Sequence, residues 1–197
     1  MTNCMETWMT ILISIPLGAL SSLIAWWILN YWIKPKIKFS EDISKTLIDS
    51  TAIYRFKFEN YGKRKIVDNL LLAKLRIKGI RYKSIWEVIY LPLDNDKIPI
   101  IRPIKGEVKI IREVPRLELG LIELRNRKFL PQAIKEKIDN DTITLEELMN
   151  LGSESELILY VTGYDEISGA KKTFESKPYK VGDIKTGLFN KKGLNVE

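Results

Sequence analysis

Hydrophobic positions along the chain follow two regimes. From Thr7 to Ile33 the sequence runs for 27 residues without a charged side chain. That exceeds the roughly 20 residues a helix needs to cross a hydrocarbon core of about 30 Å. Beyond Lys34 the pattern becomes short alternating runs. Tyr54, Phe56 and Phe58 alternate with Arg55, Lys57 and Glu59, the mark of a strand with one buried and one wet face. Asn60 to Lys63 supplies turn residues, and Leu71, Ala73, Leu75 and Ile77 then alternate with Leu72, Lys74, Arg76 and Lys78. Together these predict a long hairpin. Further strands are expected over 84–91, with Trp86 and Tyr90 on the core face, and over 97–101 and 107–111.

Two helical pieces interrupt the alternation. Pro131 can open a helix over 132–138, because its missing N–H is no loss in a first turn. Thr144, with Glu147 three residues on, fits a capping box, and Gly152 closes the turn that follows. Leu157, Leu159 and Val161 then share a strand face, Asp165 to Gly169 makes a turn, and 171–177 returns with Phe174 inside. Tyr179, Ile184 and Phe189 mark a tail packed along the domain. The expected architecture is mainly β: a transmembrane helix over 1–33, a juxtamembrane linker and first strand over 34–50, and a β-sandwich with one or two short helices over 51–197.

The flanks of the apolar run give it a direction. Trp8 stands near one end, and Trp26, Trp27, Tyr31 and Trp32 crowd the other. Indole rings favour the headgroup zone, so Trp26, Trp27 and Trp32, with Lys34, Lys36 and Lys38, are the expected lipid-headgroup residues. The stretch Met9 to Trp27 rises about 28 Å as a helix. No Lys or Arg precedes it and three Lys follow at once, so the positive-inside rule puts the N-terminus outside and the remainder in the cytoplasm, across the plasma (inner) membrane. A cleaved signal peptide fits poorly: the first seven residues hold no base and the apolar run is too long. Ser14, Gly18 and Ser22 recur every four residues, with Ala25 near the same stripe. Such a stripe lets a second helix approach closely and predicts a homo-oligomer, although small residues also face lipid in plain anchors. Pro16 removes a backbone donor and is expected to kink or soften the helix.

Charge and composition narrow the chemistry. The net charge is +7 and Glu6 contributes −1 before the span, so the remainder carries +8. A basic domain suits an anionic leaflet. Nucleic acid is disfavoured as a partner, because acidic residues are interspersed and no basic helix, finger or RNA-binding motif is present. The single Cys, at position 4, excludes a disulfide within the chain, and there is no His, which removes the commonest general base and transition-metal ligand. Asp94-Asn95-Asp96 lacks the later Gly and closing Glu of a calcium loop. Gly62-Lys63-Arg64-Lys65 lacks phosphate-loop spacing and reads as a solvated hairpin tip, the alternative being contact with lipid headgroups or an acidic partner. Asp165 and Glu166 fit a turn. No catalytic residue, metal site or cofactor is expected, and an enzyme is disfavoured.

The segment Tyr-Arg-Phe-Lys-Phe-Glu-Asn-Tyr-Gly from Tyr54 to Gly62, followed by Val67-Asp68-Asn69-Leu70, resembles strand pairs in immunoglobulin-like domains of prokaryotic membrane proteins. The richness in Lys, Ile and Asn fits an AT-rich prokaryotic genome. A span plus a β-domain is also similar, in layout, to membrane-disrupting effectors of prokaryotic anti-phage systems. That similarity implies an oligomeric membrane effector or sensor whose β-domain receives a protein or small-molecule signal, with a role in defence. The alternative is an anchored scaffold that holds a cytoplasmic partner at the membrane, with no pore. The full-length protein is expected to stay with membranes through alkaline carbonate extraction, and a chain lacking residues 1–33 to appear in the soluble fraction; fractionation of the two checks this.

Overall fold

The computed structural model describes residues 2–29, 33–48, 51–104, 115–123, 127–190 and 193–197. The chain divides into two compact units, Met1–Lys34 and Pro35–Glu197. The first unit is one helix, α1 (Thr2–Trp27), which runs through Pro16 without a break. Ile28 and Leu29 extend it as a π turn, in which the Ile28 carbonyl accepts from Ile33 N–H at 3.1 Å. Its Met9–Trp27 stretch is long and apolar enough to cross a membrane, and none of it is buried against protein.

The second unit is mainly β and sandwich-like, with ten strands among the described residues. Its spine is β5 (Ile66–Lys78) paired antiparallel with β8 (Glu154–Asp165), in register from Ile66 opposite Asp165 to Lys78 opposite Glu154. β9 (Lys171–Glu175) lies beyond β8. The other edge of β5 is shared by β6 (Trp86–Leu91) along its second half and β7 (Lys97–Ile101) along its first. A bulge interrupts the first half. Asp68 takes φ 50° and the register with β8 shifts between Val67 and Leu70, while the Asn69 amide caps the Ile66 and Ile98 carbonyls at 3.0 Å. Gly163 lies against this bulge, and a Cβ there would collide with Asn69 and Ile66.

Two smaller sheets cover the core face. β1 (Ile37–Phe39) pairs with β4 (Phe58–Asn60), and β2 (Ile43–Ile48) lies between β3 (Thr51–Arg55) and the parallel β10 (Ile184–Thr186). Residues 34–50 are therefore not a linker before the domain: from Pro35 onward they supply β1 and β2. The predicted hairpin is also re-paired. Tyr54, Phe56 and Phe58 are fully buried as the alternation requires, but Lys57 on the expected wet face is buried too, its ammonium donating to the Asn190 carbonyl, and the segment breaks into β3 and β4, which pair with β2 and β1 rather than with β5. Arg116 and Leu117 stitch the layers together, bridging to Arg55 and to Leu93.

Between the layers Phe56 meets Tyr179 at 5.6 Å and Phe39 meets Phe58 at 5.8 Å, against Leu75, Ile77, Leu157, Leu159 and Val161. Each such side chain contributes about 1.5–3 kcal/mol by leaving water. Tyr179 donates to the Ser40 carbonyl at 2.7 Å, and burial pushes its hydroxyl up to about 12. The helices α2 (Gln132–Asp139) and α3 (Leu145–Met149) fall where the sequence placed them, and the Thr144–Glu147 capping box forms in both directions at 3.2 Å. Gly152 passes so close to the Lys78 carbonyl that a Cβ would collide with it. The expected strand over 107–111 lies outside the described residues.

At one end of the spine, Arg64 and Asp165 form a buried ion pair at 3.2 Å. The Gly62–Lys65 tip is thus only partly solvated: Arg64 is buried, because its partner is the turn-forming carboxylate at the end of β8. Removing one partner strands the other charge out of water, which typically costs 3–5 kcal/mol. Arg64→Met is expected to lower unfolding free energy by about 3 kcal/mol, read as a shift in the urea midpoint at unchanged slope.

Candidate functional site

Three surfaces hold the residues to which a function can be attached. The first is the helix. Gly18 has nothing within 4 Å of where a Cβ would stand, so its surface is open to an approaching helix. Ser14, Ser22 and Ala25 are exposed on the same element. The Ser14 hydroxyl donates to the Ile11 carbonyl at 3.2 Å, and those of Ser21 and Ser22 both donate to the Gly18 carbonyl at 2.9 Å. These hydroxyls are satisfied within their own helix, so they lower its polarity rather than present a wet stripe. Trp26 and Trp27 are more than half exposed at the C-terminal end, where an apolar hollow forms with Leu23 and Ile24. Lys34 follows in the same unit, whereas Lys36 and Lys38 belong to the β-domain. Trp32 and Tyr31 lie outside the described residues, and nothing is described of the Trp8 side chain.

The second surface is the outer face of the large sheet. The core expectation for Trp86 and Tyr90 is overturned: Glu87, Ile89 and Leu91 face inward, so strand parity turns Trp86 and Tyr90 outward, with Tyr90 40% exposed. Trp86 is capped by the Arg76 guanidinium at 4.7 Å and the Lys78 ammonium at 5.8 Å. These cations also pair across the sheet with Glu156 and Glu154. Further along, Leu70, Leu72 and Tyr90 are exposed. With Lys74, Tyr160, Thr162 and Thr173 they line an open hollow of about 340 Å³. It abuts a second hollow of about 430 Å³ that shares Leu72 and Tyr90. Lys74 lines the first hollow and has no ion-pair partner among the described residues. Alternation signalled this face but not its exposure, because Leu71 and Leu72 are equally apolar in sequence.

The third set is polar. Tyr54 donates to Glu146, whose other oxygen meets Lys45 at 2.6 Å. Burial and the Glu146 carboxylate push the Tyr54 hydroxyl well above its ordinary range. For Glu146 burial acts upward, but the bonds from Lys45 and Tyr54 outweigh it and hold the carboxylate below its usual value. Asp165 is lowered in the same manner: burial opposes, and the Ile167 and Ser168 N–H groups with Arg64 prevail. Arg81 pairs with Glu87, whose second carboxylate oxygen is buried without a partner. Asp94 is tied to the Arg116 backbone N–H at 2.8 Å and its Nε at 2.7 Å, which locks the turn that opens the Asp94-Asn95-Asp96 run. No group of three or more Cys, Asp or Glu is placed to hold a metal among the described residues. No family model and no curated protein matches the chain.

The folded-state pKa of Glu146 lies below its unfolded value of about 4.3. Its contribution is therefore complete above about pH 5 and is lost as pH falls through the folded value. Glu146→Gln is expected to flatten the fall in Tm over that acid window, compared with the parent protein by circular dichroism.

Proposed function

We propose that the protein is an oligomeric, membrane-anchored sensor or effector. Its single span assembles along Ser14, Gly18, Ser22 and Ala25, and its β-domain receives a signal on the cytoplasmic side. One observation carries the reading. The Met9–Trp27 stretch of α1, long enough to cross a bilayer, free of charge and unburied among the described residues, presents an open glycine surface on which another helix can pack. The Lys residues that follow it support a cytoplasmic β-domain at the plasma membrane. A signal arriving at the domain would act by changing how the spans associate and so perturb the bilayer, the behaviour expected of a defence effector.

The second reading, an anchored scaffold without membrane activity, draws on the outer sheet face. Leu70, Leu72 and Tyr90 around Lys74 suit a partner with an apolar and an acidic group. The satisfied hydroxyls of Ser14 and Ser22 favour it further, because they leave the span little with which to line a water-filled path.

Gly18→Leu separates the readings. Apart from the backbone of α1 itself and the neighbouring residues, no described atom lies within 4 Å of the new side chain's root, so the helix and the domain are expected to persist. Under the oligomeric reading, native mass spectrometry of full-length protein in nanodiscs gives a defined multimer for the parent and mostly monomer for the variant. A monomer in both leaves the scaffold.

A further inference from the structure

The β-domain carries a second membrane contact of its own. We propose that the end of the domain formed by the 61–65 loop and the 165–169 hairpin tip docks onto an anionic bilayer surface. Ile167 and Tyr61 enter the headgroup layer there, and the surrounding lysines meet lipid phosphates and carboxylates. This rests on the reading of α1 as a span.

Chain connectivity selects this end. The bilayer-long apolar stretch ends at Trp27 and the domain begins at Pro35. Residues 28–34 between them reach at most about 25 Å even when fully extended, so the part of the domain that holds Lys36 is tethered to the headgroup region. Lys36 is fastened to the 61–65 loop: its carbonyl accepts from Tyr61 N–H at 2.9 Å and Gly62 N–H at 3.3 Å, and Asn60 Oδ1 accepts from its N–H at 3.3 Å. That loop is in turn fastened to the hairpin tip. Glu166 N–H donates to the Lys65 carbonyl at 3.3 Å, Lys65 Nζ meets Glu166 at 2.7 Å, and Arg64 meets Asp165. Asp165 then accepts from the Ile167 and Ser168 N–H groups at 3.0 and 3.3 Å. A buried ion pair and two N–H bonds to the Asp165 carboxylate thus hold a hairpin tip that carries an isoleucine 68% exposed, and the loop fastened to it carries a tyrosine 55% exposed.

In a soluble loop an isoleucine so placed gains nothing. At a membrane interface an aliphatic tip and an amphipathic ring both leave water. The charges agree with that setting. Lys63 and Lys65 lie on the 61–65 loop, Lys36 is hydrogen-bonded to it, and Lys171 opens the returning strand opposite Tyr164. Glu59, Asp68 and Glu166 stand against them, and Glu166 is already committed to Lys65. The excess is basic, as an anionic leaflet favours. The opposite end of the spine, the 79–84 loop after Lys78, lies about 40 Å away along a strand of 13 residues.

The test uses full-length protein in nanodiscs, in a Cys4→Ser background. A nitroxide is placed through Ile167→Cys or, as the distal control, Lys83→Cys, and its accessibility to a water-soluble nickel relaxant is measured. With phosphatidylserine in the disc, accessibility at 167 is expected to fall several-fold below that at 83. Adding Lys63→Glu and Lys171→Glu restores it while the label at 83 is unchanged. Equal accessibility at both sites in anionic discs overturns the proposal. Immersion at 167 that is undiminished in pure phosphatidylcholine, or that survives the two charge reversals, overturns the assignment to anionic headgroups. A chain that never enters the discs sinks the span reading, and the docking proposal with it.

Discussion

The β-domain depends on the pairing of β5 with β8. Two strands of 13 and 12 residues, joined only after three quarters of a hundred intervening residues or more, run in register over almost their whole length. Every other strand of the large sheet adds to one of these two, and the small sheets close over the face on which Leu71, Leu75, Leu157 and Val161 are buried. Closing so long a loop costs entropy before any cross-strand contact repays it. The pairing is therefore supported at both ends, by the buried Arg64–Asp165 pair and by Lys78–Glu154, and relieved in between by the bulge at Asp68, which Gly163 makes room for.

That scaffold separates two kinds of surface. Its outer face is partly apolar, with open hollows lined by Leu70, Leu72, Lys74 and Tyr90, and its Asp165 end is a pair of hydrogen-bonded loops on which Ile167 and Tyr61 are exposed. The helix supplies a third surface, mostly apolar over Met9–Trp27. Under the proposed reading of α1 as a span and the docking of the loop end, a bilayer would cover both, and the outer sheet face would stay open to a partner. The buried polar groups have structural work instead. Glu146 holds Lys45 and Tyr54 together across β2, β3 and α3, and Asp165 shapes its own turn while neutralising Arg64.

Legibility followed the range of the interactions. The capping box at Thr144 and Glu147, the turn at Asp165 and the inward positions of Tyr54, Phe56 and Phe58 could be read because each depends on neighbours within a few residues. Partner choice could not. The turn at Asn60 to Lys63 looked like a hairpin tip, yet Asn60 turns its amide to the Arg64 and Ile101 carbonyls, and β4 pairs with β1. The faces of β6 were misread for a related reason: Trp86 is the larger apolar residue, but Arg76 and Lys78 from β5 cover its ring while Glu87 turns inward toward Arg81. A cation from another strand can satisfy an aromatic face outside the core, and nothing within β6 announces it.

The sequence alone determined that one segment is long and apolar enough to cross a bilayer, since 27 uncharged residues at helical rise span its thickness, and that the remainder alternates as sheet. These are properties of single segments against a solvent. The tertiary structure decided that the domain begins at Pro35 rather than at residue 51 and that Arg64 is inside. It also decided that Trp86 and Tyr90 are outside and that the loops at Tyr61 and Ile167 share one end. Each of those outcomes depends on which distant strand lies alongside, and that is set by the joint packing of the whole core and not by any local pattern.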